Sequence, residues 1–330
     1  MDPITQSLLG AAAAQAILGK RLGPAAALFG AVGGELPDID VFFTSTDPAL
    51  PMQYHRHFTH ALVFIPFGGA LAALPMFAVA SWRRQWTCVL MATTIGCATH
   101  GLLDTCTAYG TYLLWPFVNA RLAWDIISII DPVFTLTLLI GLVWALASRS
   151  MRPARVALAA AVAYLGVGAI QHHRVMAVQA DLAEVRGQVV ERGRAMPTLG
   201  NLIVWRSIYE SGGRLYADAV RVGRSSRVRR GESVPRSHPD DLPVVTPRVG
   251  EVFDGLEAFA DGYVAQVKGH PGVFGDMRYS MEPSGFEPLW GIRVGAAASK
   301  PDVVWVHMAG GRPGALGRLW HQIVDGEGWE

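Results

Sequence analysis

A chain of 330 residues with 51% apolar residues, 17% charged residues and a net charge of +1 is too apolar for an ordinary soluble protein and long enough for two domains. Its near-neutral balance points to no particular charged partner. Three cysteines, Cys88, Cys97 and Cys106, lie in the apolar half without C-x-x-C spacing and argue against a disulfide framework.

The N-terminal run MDPITQSLLGAAAAQAILG lacks a basic leader, and its Lys20 and Arg21 follow the apolar stretch, so it reads as a retained helix over 4–18. Pro24 suits the first turn of a second short helix over 24–36. Each is shorter than the roughly 20 residues a span requires, and the pair is either a tilted hairpin or partly buried in protein. Residues 59–80 are long enough to span, with kinks expected at Pro66 and Pro75. Residues 87–104, 126–147 and 154–171 are further spanning candidates, and 105–124 reads as a loop bearing interface-type aromatics.

The links at 20–21, 83–84 and 148–155 carry seven basic residues, whereas the loops 37–58 and 105–124 carry Arg56 and Arg121. The positive-inside rule then places the first set in the cytoplasm and the loops, both termini and everything after Gln171 on the periplasmic or outer face. The stripe Val175, Val178, Leu182, Val185, Val189 continues the last segment as an amphipathic helix up to Pro197. Beyond it, Asn201–Tyr209 and Arg214–Val222 read as a hairpin turning at Glu210–Gly213. Met277–Met281, Leu289–Val294 and Val303–Met308 read as strands, and Arg224–Pro247 as loop. The expected architecture is a membrane α-helical bundle of about five to six apolar helices (the first two short) over 1–172. A connecting amphipathic helix over 173–197 and a small soluble α+β domain over 198–330 follow.

Three polar clusters interrupt the apolar half. The stretch ELPDIDVFFTSTDPALPMQYHRHFTH holds Glu35, Asp38, Asp40, Asp47, His55, His57 and His60; His100 and Asp104 form an H-x-x-x-D pair; Asp125 and Asp131 follow. The topology drawn from Lys and Arg alone puts all three clusters at one depth. His100 and Asp104 share a helix face, and an ionisable residue near a membrane is costly unless partnered. Simpler roles compete: an interhelical bridge for His100 and Asp104, an Asx turn or helix cap for Asp38 and Asp40, and an N-cap for Asp131 before Pro132. Imidazole with carboxylate suits zinc, then manganese or iron, better than calcium. The candidates outnumber the three protein ligands of one catalytic zinc, so the set implies one or two ions, or one ion with a spare base. His55, His60, His100, Asp104 and Asp38 are the expected ligands, and Asp40 or Glu35 the expected proton acceptor. His57, Thr59, Asp125 and Asp131 are expected around them. The run Arg221, Arg224, Arg227, Arg229, Arg230 is a solvated loop or a patch for anionic lipid. No nucleophile elbow, P-loop or dinucleotide fingerprint is present, and nucleic acid is not an expected partner.

The runs MDPITQSLLGAAAA, GELPDIDVFF, YHRHFTHALVF, THGLLDTCTAYGTYLLWPF and AWDIISIIDPVF, in order through residues 1–150, resemble the bacterial membrane-bound metal-dependent hydrolases. These are inner-membrane proteins that include the LexA-regulated ones. The segment PTLGNLIVWRSIYESGGRLYADAV resembles the start of that family's C-terminal region. The family's H-R-G-x-T-H pattern falls on His55, Arg56, Thr59 and His60, its H-x-x-x-D on His100 and Asp104, and its P-D-x-D on Asp38 and Asp40. The chain departs from it at His57, where the family has a small residue. The resemblance implies metal-dependent hydrolysis in the inner membrane. A looser similarity to zinc-dependent phospholipase C proteins points toward a phosphoester, with membrane lipids or a lipid-linked molecule as substrate. A non-enzymatic metal-binding scaffold or sensor is the competing expectation. A metal transporter is disfavoured by the scarcity of ionisable residues inside the segments.

Overall fold

The structure, a computed structural model, describes residues 1–43, 55–295, 303–308, 314–324 and 329. Asp47 lies outside the described residues. The chain divides into two compact units: the first holds Met1–Thr44, Tyr54–Ile170 and Leu199–Asn201, the second Gln171–Thr198 and Leu202–Glu330 with Ser45–Gln53.

The first unit is helical. Helix α1 (Pro3–Leu22) starts where the Asp2 carboxylate accepts the Thr5 backbone N–H and Pro3 takes the first turn, which needs no N–H there. Helix α2 (Ala25–Glu35) follows and runs into a 3-10 helix, Leu36–Phe43. Two single 3-10 turns, Phe58–His60 and Leu62–Phe64, lead into α3 (Ile65–Ala73), a further 3-10 turn Leu74–Ala78 and the short α4 (Ala80–Arg83). Helices α5 (Trp86–Cys106), α6 (Pro132–Ala147) and α7 (Arg152–Val185) complete the unit, whose boundary with the second falls within α7.

Helices α1, α2 and α5 meet backbone to backbone. A Cβ on Gly30 would lie 2.2 Å from the Gly10 carbonyl oxygen, and one on Gly96 would lie 2.1 Å from that of Gly30. Small residues at such crossings are how helices pack where no hydrophobic force drives them together. Around the crossing, Ala14, Phe29, Val89 and Ala92 are buried in one cluster. On α6 and α7 large apolar side chains point outward, among them Ile140, Trp144, Val156, Val162 and Ile170. Such contiguous exposure marks a surface made for another apolar phase.

Two helices, Trp86–Cys106 and Arg152–Val185, are long and apolar enough to cross a membrane. The expected five to six spans are therefore not seen as such. Pro132–Ala147 has 16 residues, and 59–80 is no single helix. Pro66 and Pro75 occupy the first turns of separate helical pieces, because a proline ring clashes with a helix already running through it.

The second unit is antiparallel. Strands β1 (Arg192–Pro197), β2 (Val204–Ser211), β3 (Arg214–Val222) and β4 (Ser226–Arg229) lie in that order, with β5 (Ser233–Pro235) also paired to β3. Gly212 and Gly213, both at positive φ, close the β2–β3 turn with Ser211 opposite Arg214, the geometry that two-residue hairpin loops require. Helix α8 (Pro247–Phe259) packs Val252, Phe253 and Leu256 into one core with Val264, Phe274 and Ile292. The latter three belong to β6 (Val264–Gln266), β7 (Val273–Asp276) and β8 (Trp290–Val294), which continue to β9 (Val303–His307) in a second sheet. Helix α9 (Ala315–Val324) follows.

Three expectations need correction here. The connecting helix ends at Val185, not near Pro197: Gly187 at positive φ lets its N–H and that of Gln188 turn back onto the Glu184 and Ala183 carbonyls. Residues 192–197 then pair with β2 as β1. The presumed loop Arg224–Pro247 contains β4 and β5, edge strands whose polar residues show no apolar alternation. Met277–Met281 is not a strand; the pairing there falls on Val273–Asp276, with Ser280 making one bridge to Pro288.

Candidate metal centre

Four donors converge between the end of α5, the 3-10 helix after α2 and the Phe58–His60 turn. One ligand atom from each of Asp38, His60, His100 and Asp104 lies within 4.8 Å of the others. His100 and Asp104 sit one turn apart on the buried face of α5. His60 reaches them because Gly101 lets the turn lie directly on α5: a Cβ on Gly101 would stand 2.3 Å from the His60 carbonyl oxygen. The loop after α5 clamps the same segment, with Tyr112 N–H donating to the Arg56 carbonyl and Leu62 N–H to the Leu113 carbonyl.

The hydrogen bonds around each ring fix what faces the centre. His100 Nδ1–H donates to the Gly34 carbonyl, so Nε2 presents its lone pair. Thr59 Oγ1–H donates to Asp40 Oδ2 at 3.1 Å and accepts Nδ1–H of His60 at 3.0 Å, so His60 Nε2 also presents a lone pair. These two nitrogens stand 3.0 Å apart. Asp38 Oδ1 is 3.3 Å from one and 3.4 Å from the other, and Asp104 Oδ2 is 3.3 and 3.6 Å away. Asp104 Oδ2 has no hydrogen-bond partner among the described residues although Asp104 is fully buried. Electron-rich atoms that face one another in a buried space repel unless a cation stands between them. The donor set and the orphaned oxygen fit a divalent metal ion.

The remaining charges are arranged around this centre. Arg56, buried at positive φ, brings Nε to 3.2 Å from Asp104 Oδ2, out of line for a hydrogen bond. On the other oxygen, Gln6 Nε2 donates to Asp104 Oδ1 at 2.9 Å, and the Met1 amino group lies against the same atom. Asp38 Oδ1 faces both ring nitrogens from the partly exposed side of the cluster. Asp40 is buried at the rear. Its carboxylate accepts Arg56 N–H at 2.8 Å and lies 2.9 Å from His55 Nδ1, and these contacts with the nearby His60 overcome burial to lower its pKa.

Asp38, Asp40 and His55 form a second group of convergent donors, so Asp38 belongs to both. Glu35 lies in neither group; it ends α2 and accepts a 2.7 Å hydrogen bond from Ser7. His57 packs against the Tyr112 and Trp115 rings at 4.7 and 5.6 Å, the place left open by its departure from the small residue expected there. Asp131 caps α6, accepting Phe134 N–H and the Tyr164 hydroxyl, and Asp125 is buried at positive φ in the preceding loop. Neither is in the two groups. In the sequence Arg56 stands in the family pattern and among the loop charges without a role of its own, and Gln6 is signalled only as a glutamine on the alanine-rich face of an apolar helix.

A glycine-packed helical unit with an apolar exterior and a buried His/Asp cluster able to hold a metal ion defines a membrane protein with a candidate metal centre. The chain belongs to the YdjM inner membrane protein family, which it matches over residues 1–175. It is also similar to the uncharacterized protein YfhP of Bacillus subtilis (strain 168), 30% identical over 103 residues that make up 30% of each chain. The chain thus spans under a third of that relative's length. No solved structure matches it.

Proposed function

We propose that the chain is a membrane-embedded, metal-dependent hydrolase acting at the outer membrane–water boundary on a phosphoester of a lipid or lipid-linked substrate. The observation that carries this reading is the convergence of Asp38, His60, His100 and Asp104, with two lone-pair nitrogens and a carboxylate oxygen that has no hydrogen bond among the described residues facing one point. Zinc fits two imidazoles and two carboxylates best, with manganese or iron as alternatives. A bound ion would supply a hydroxide near neutral pH and polarise a phosphoryl oxygen.

The chain's own residues divide the remaining work. Thr59 and the Gly34 carbonyl hold the two rings in the tautomer that exposes Nε2. Arg56 offsets the excess negative charge of the carboxylates. Asp38 has 21% of its side chain exposed while the side chains of His60, His100 and Asp104 are sealed, so the approach for water and substrate lies on the Asp38 side. Asp40, buried on that same 3-10 helix, would take a proton by way of the partly exposed His55 ring that it holds at 2.9 Å. The sharing of Asp38 between both donor groups allows a second ion, held additionally by Asp40 and His55.

The sealed state of three of the four donors also favours a second reading, a closed structural metal site in a scaffold or sensor. Elemental analysis of the detergent-purified protein beside His60→Ala and His100→Ala, followed by a phosphoester and phospholipid hydrolysis screen, separates the readings. Stoichiometric metal lost in both variants, with metal-dependent phosphate or headgroup release by the wild type, establishes the hydrolase. Stoichiometric metal without turnover leaves the scaffold, and no metal after reconstitution refutes both.

A further inference from the structure

A second feature of the helical unit lies at the other end of α1. Gln6, near the start of this helix, touches Asp104 of the metal centre, whereas the last turns of α1 border a recess of about 670 Å³ closed by the α6–α7 connection. Four cations line it: Lys20, Arg149, Arg152 and Arg155. No acidic side chain lines it, and none of the four makes an ion pair among the described residues. Like charges brought together without counter-charge repel, so a fold that gathers them is arranged for an anion.

Three details support an anion site over a solvated basic link. Arg149 adopts φ 51°, in the left-handed region where a side chain other than glycine or asparagine is strained. Its N–H and that of Ser150 turn back onto the Leu146 and Ala145 carbonyls to end α6, which sets the arginine at the recess. Arg155 is anchored by its Nε–H on the Ala16 carbonyl at 2.9 Å, which leaves the two terminal nitrogens of its guanidinium for another acceptor. Gln15, 4% exposed, borders the recess as a buried neutral amide beside the four cations. The first turn of α7 adds the positive end of its dipole.

The surroundings say what carries the phosphate. Ile17, Val143, Trp144 and Val156, neighbours in sequence of the lining residues, are all more than half exposed and apolar. A charged recess that opens between apolar flanks matches a molecule with an anionic head and hydrocarbon chains. We propose that this recess binds the phosphate headgroup of an anionic phospholipid, at a site separate from the metal centre.

Native mass spectrometry of the detergent-solubilised full chain tests this. Phosphatidylglycerol, phosphatidylcholine and inorganic phosphate are titrated in turn against wild type, Arg149→Gln/Arg152→Gln and Lys20→Gln, with Arg248→Gln on the second unit as the charge control. All these side chains are exposed, and circular dichroism together with metal content checks that the fold is kept. The expected result is preferential binding of phosphatidylglycerol over phosphatidylcholine, weakened about fivefold per charge removed, unaltered in the control and not displaced by millimolar phosphate. Phosphate binding that is lost in the variants, with no preference between the two lipids, assigns the recess to free phosphate and overturns the lipid assignment. Equal retention of phosphatidylglycerol by wild type and both variants overturns the site itself.

Discussion

Asp104 carries two roles that one pair of substitutions can separate. Its carboxylate is wholly buried, with Arg56 Nε 3.2 Å from one oxygen and the Gln6 amide 2.9 Å from the other. Asp104→Asn keeps the shape and the Gln6 hydrogen bond but removes the charge, leaving a guanidinium that is 6% exposed without its counter-ion. Breaking one side of a buried pair costs about 3–5 kcal/mol. Removing both charges together, as Asp104→Asn with Arg56→Met, spares that penalty. The double variant still forfeits the 3.3 Å Arg56–Thr107 bond and the stacking on Tyr109, worth about 1–2 kcal/mol together. The double variant should therefore be about 2 kcal/mol more stable than Asp104→Asn alone when both are metal-free, yet neither should retain metal. Equilibrium unfolding in mixed detergent after chelation, run beside elemental analysis, measures both. A double variant no more stable than the single one would show that Arg56 is not held by Asp104. Full metal content in Asp104→Asn would remove Asp104 from the ligand set.

Gly101→Ala should abolish stoichiometric metal while leaving the helical content unchanged. Its Cβ would stand 2.3 Å from the His60 carbonyl oxygen, and the turn must retreat by about 1 Å where ligands tolerate about half that; circular dichroism with elemental analysis checks it. Thr59→Ala should weaken metal binding about 10- to 100-fold and Thr59→Ser should restore it, because the hydroxyl fixes the His60 tautomer; competition with a chromogenic chelator reads the difference. Chelating the metal from wild type should lower stability by about 3 kcal/mol if the free ion was at a hundred times its dissociation constant. It should also raise proteolysis within 55–60 first; an unchanged cleavage pattern would contradict the placement of the site. In the second unit, Arg206 donates to the Met277, Pro283 and Gly285 carbonyls at 2.8, 2.6 and 2.8 Å. Arg206→Met should cost roughly 3 kcal/mol or more, seen as early protease cleavage of the 277–285 stretch.

Much of the helical unit was legible because its signals are local. Asp2 and Pro3 start α1, Asp131 and Pro132 start α6, and the polar clusters stand out against apolar flanks. The spacing of His100 and Asp104 on one helix is enough to place both on its buried face. The β2–β3 hairpin declares itself through Gly212 and Gly213. What stayed hidden depends on distance between remote residues. Glu35 and Asp38 look equivalent in sequence, yet one turn of 3-10 helix sends Asp38 to the rings and leaves Glu35 on Ser7. Arg56 counts as loop charge until its positive φ turns it inward to Asp104. Strands β4 and β5 are edge strands carrying arginine and serine, so their pairing to β3 leaves no alternating pattern to read.

The polar residues of α1 show how such hidden information is recovered. A helix whose middle is four consecutive alanines has no packing use for glutamine, and both of its glutamines are buried. Burying an amide costs free energy unless something bonds it. Gln6 is answered by Asp104 and the His100 carbonyl, at the metal centre. Gln15 borders the basic recess, and the carbonyl oxygen of each glutamine has no partner among the described residues. The same physical rule that makes the first glutamine a marker of the cluster makes the second a marker of the basic recess, and Gln15→Leu should weaken phosphatidylglycerol binding without altering metal content. Loss of metal in Gln15→Leu would mean that its effect is on the packing of α1 against its neighbours, and the parallel between the two glutamines would fail.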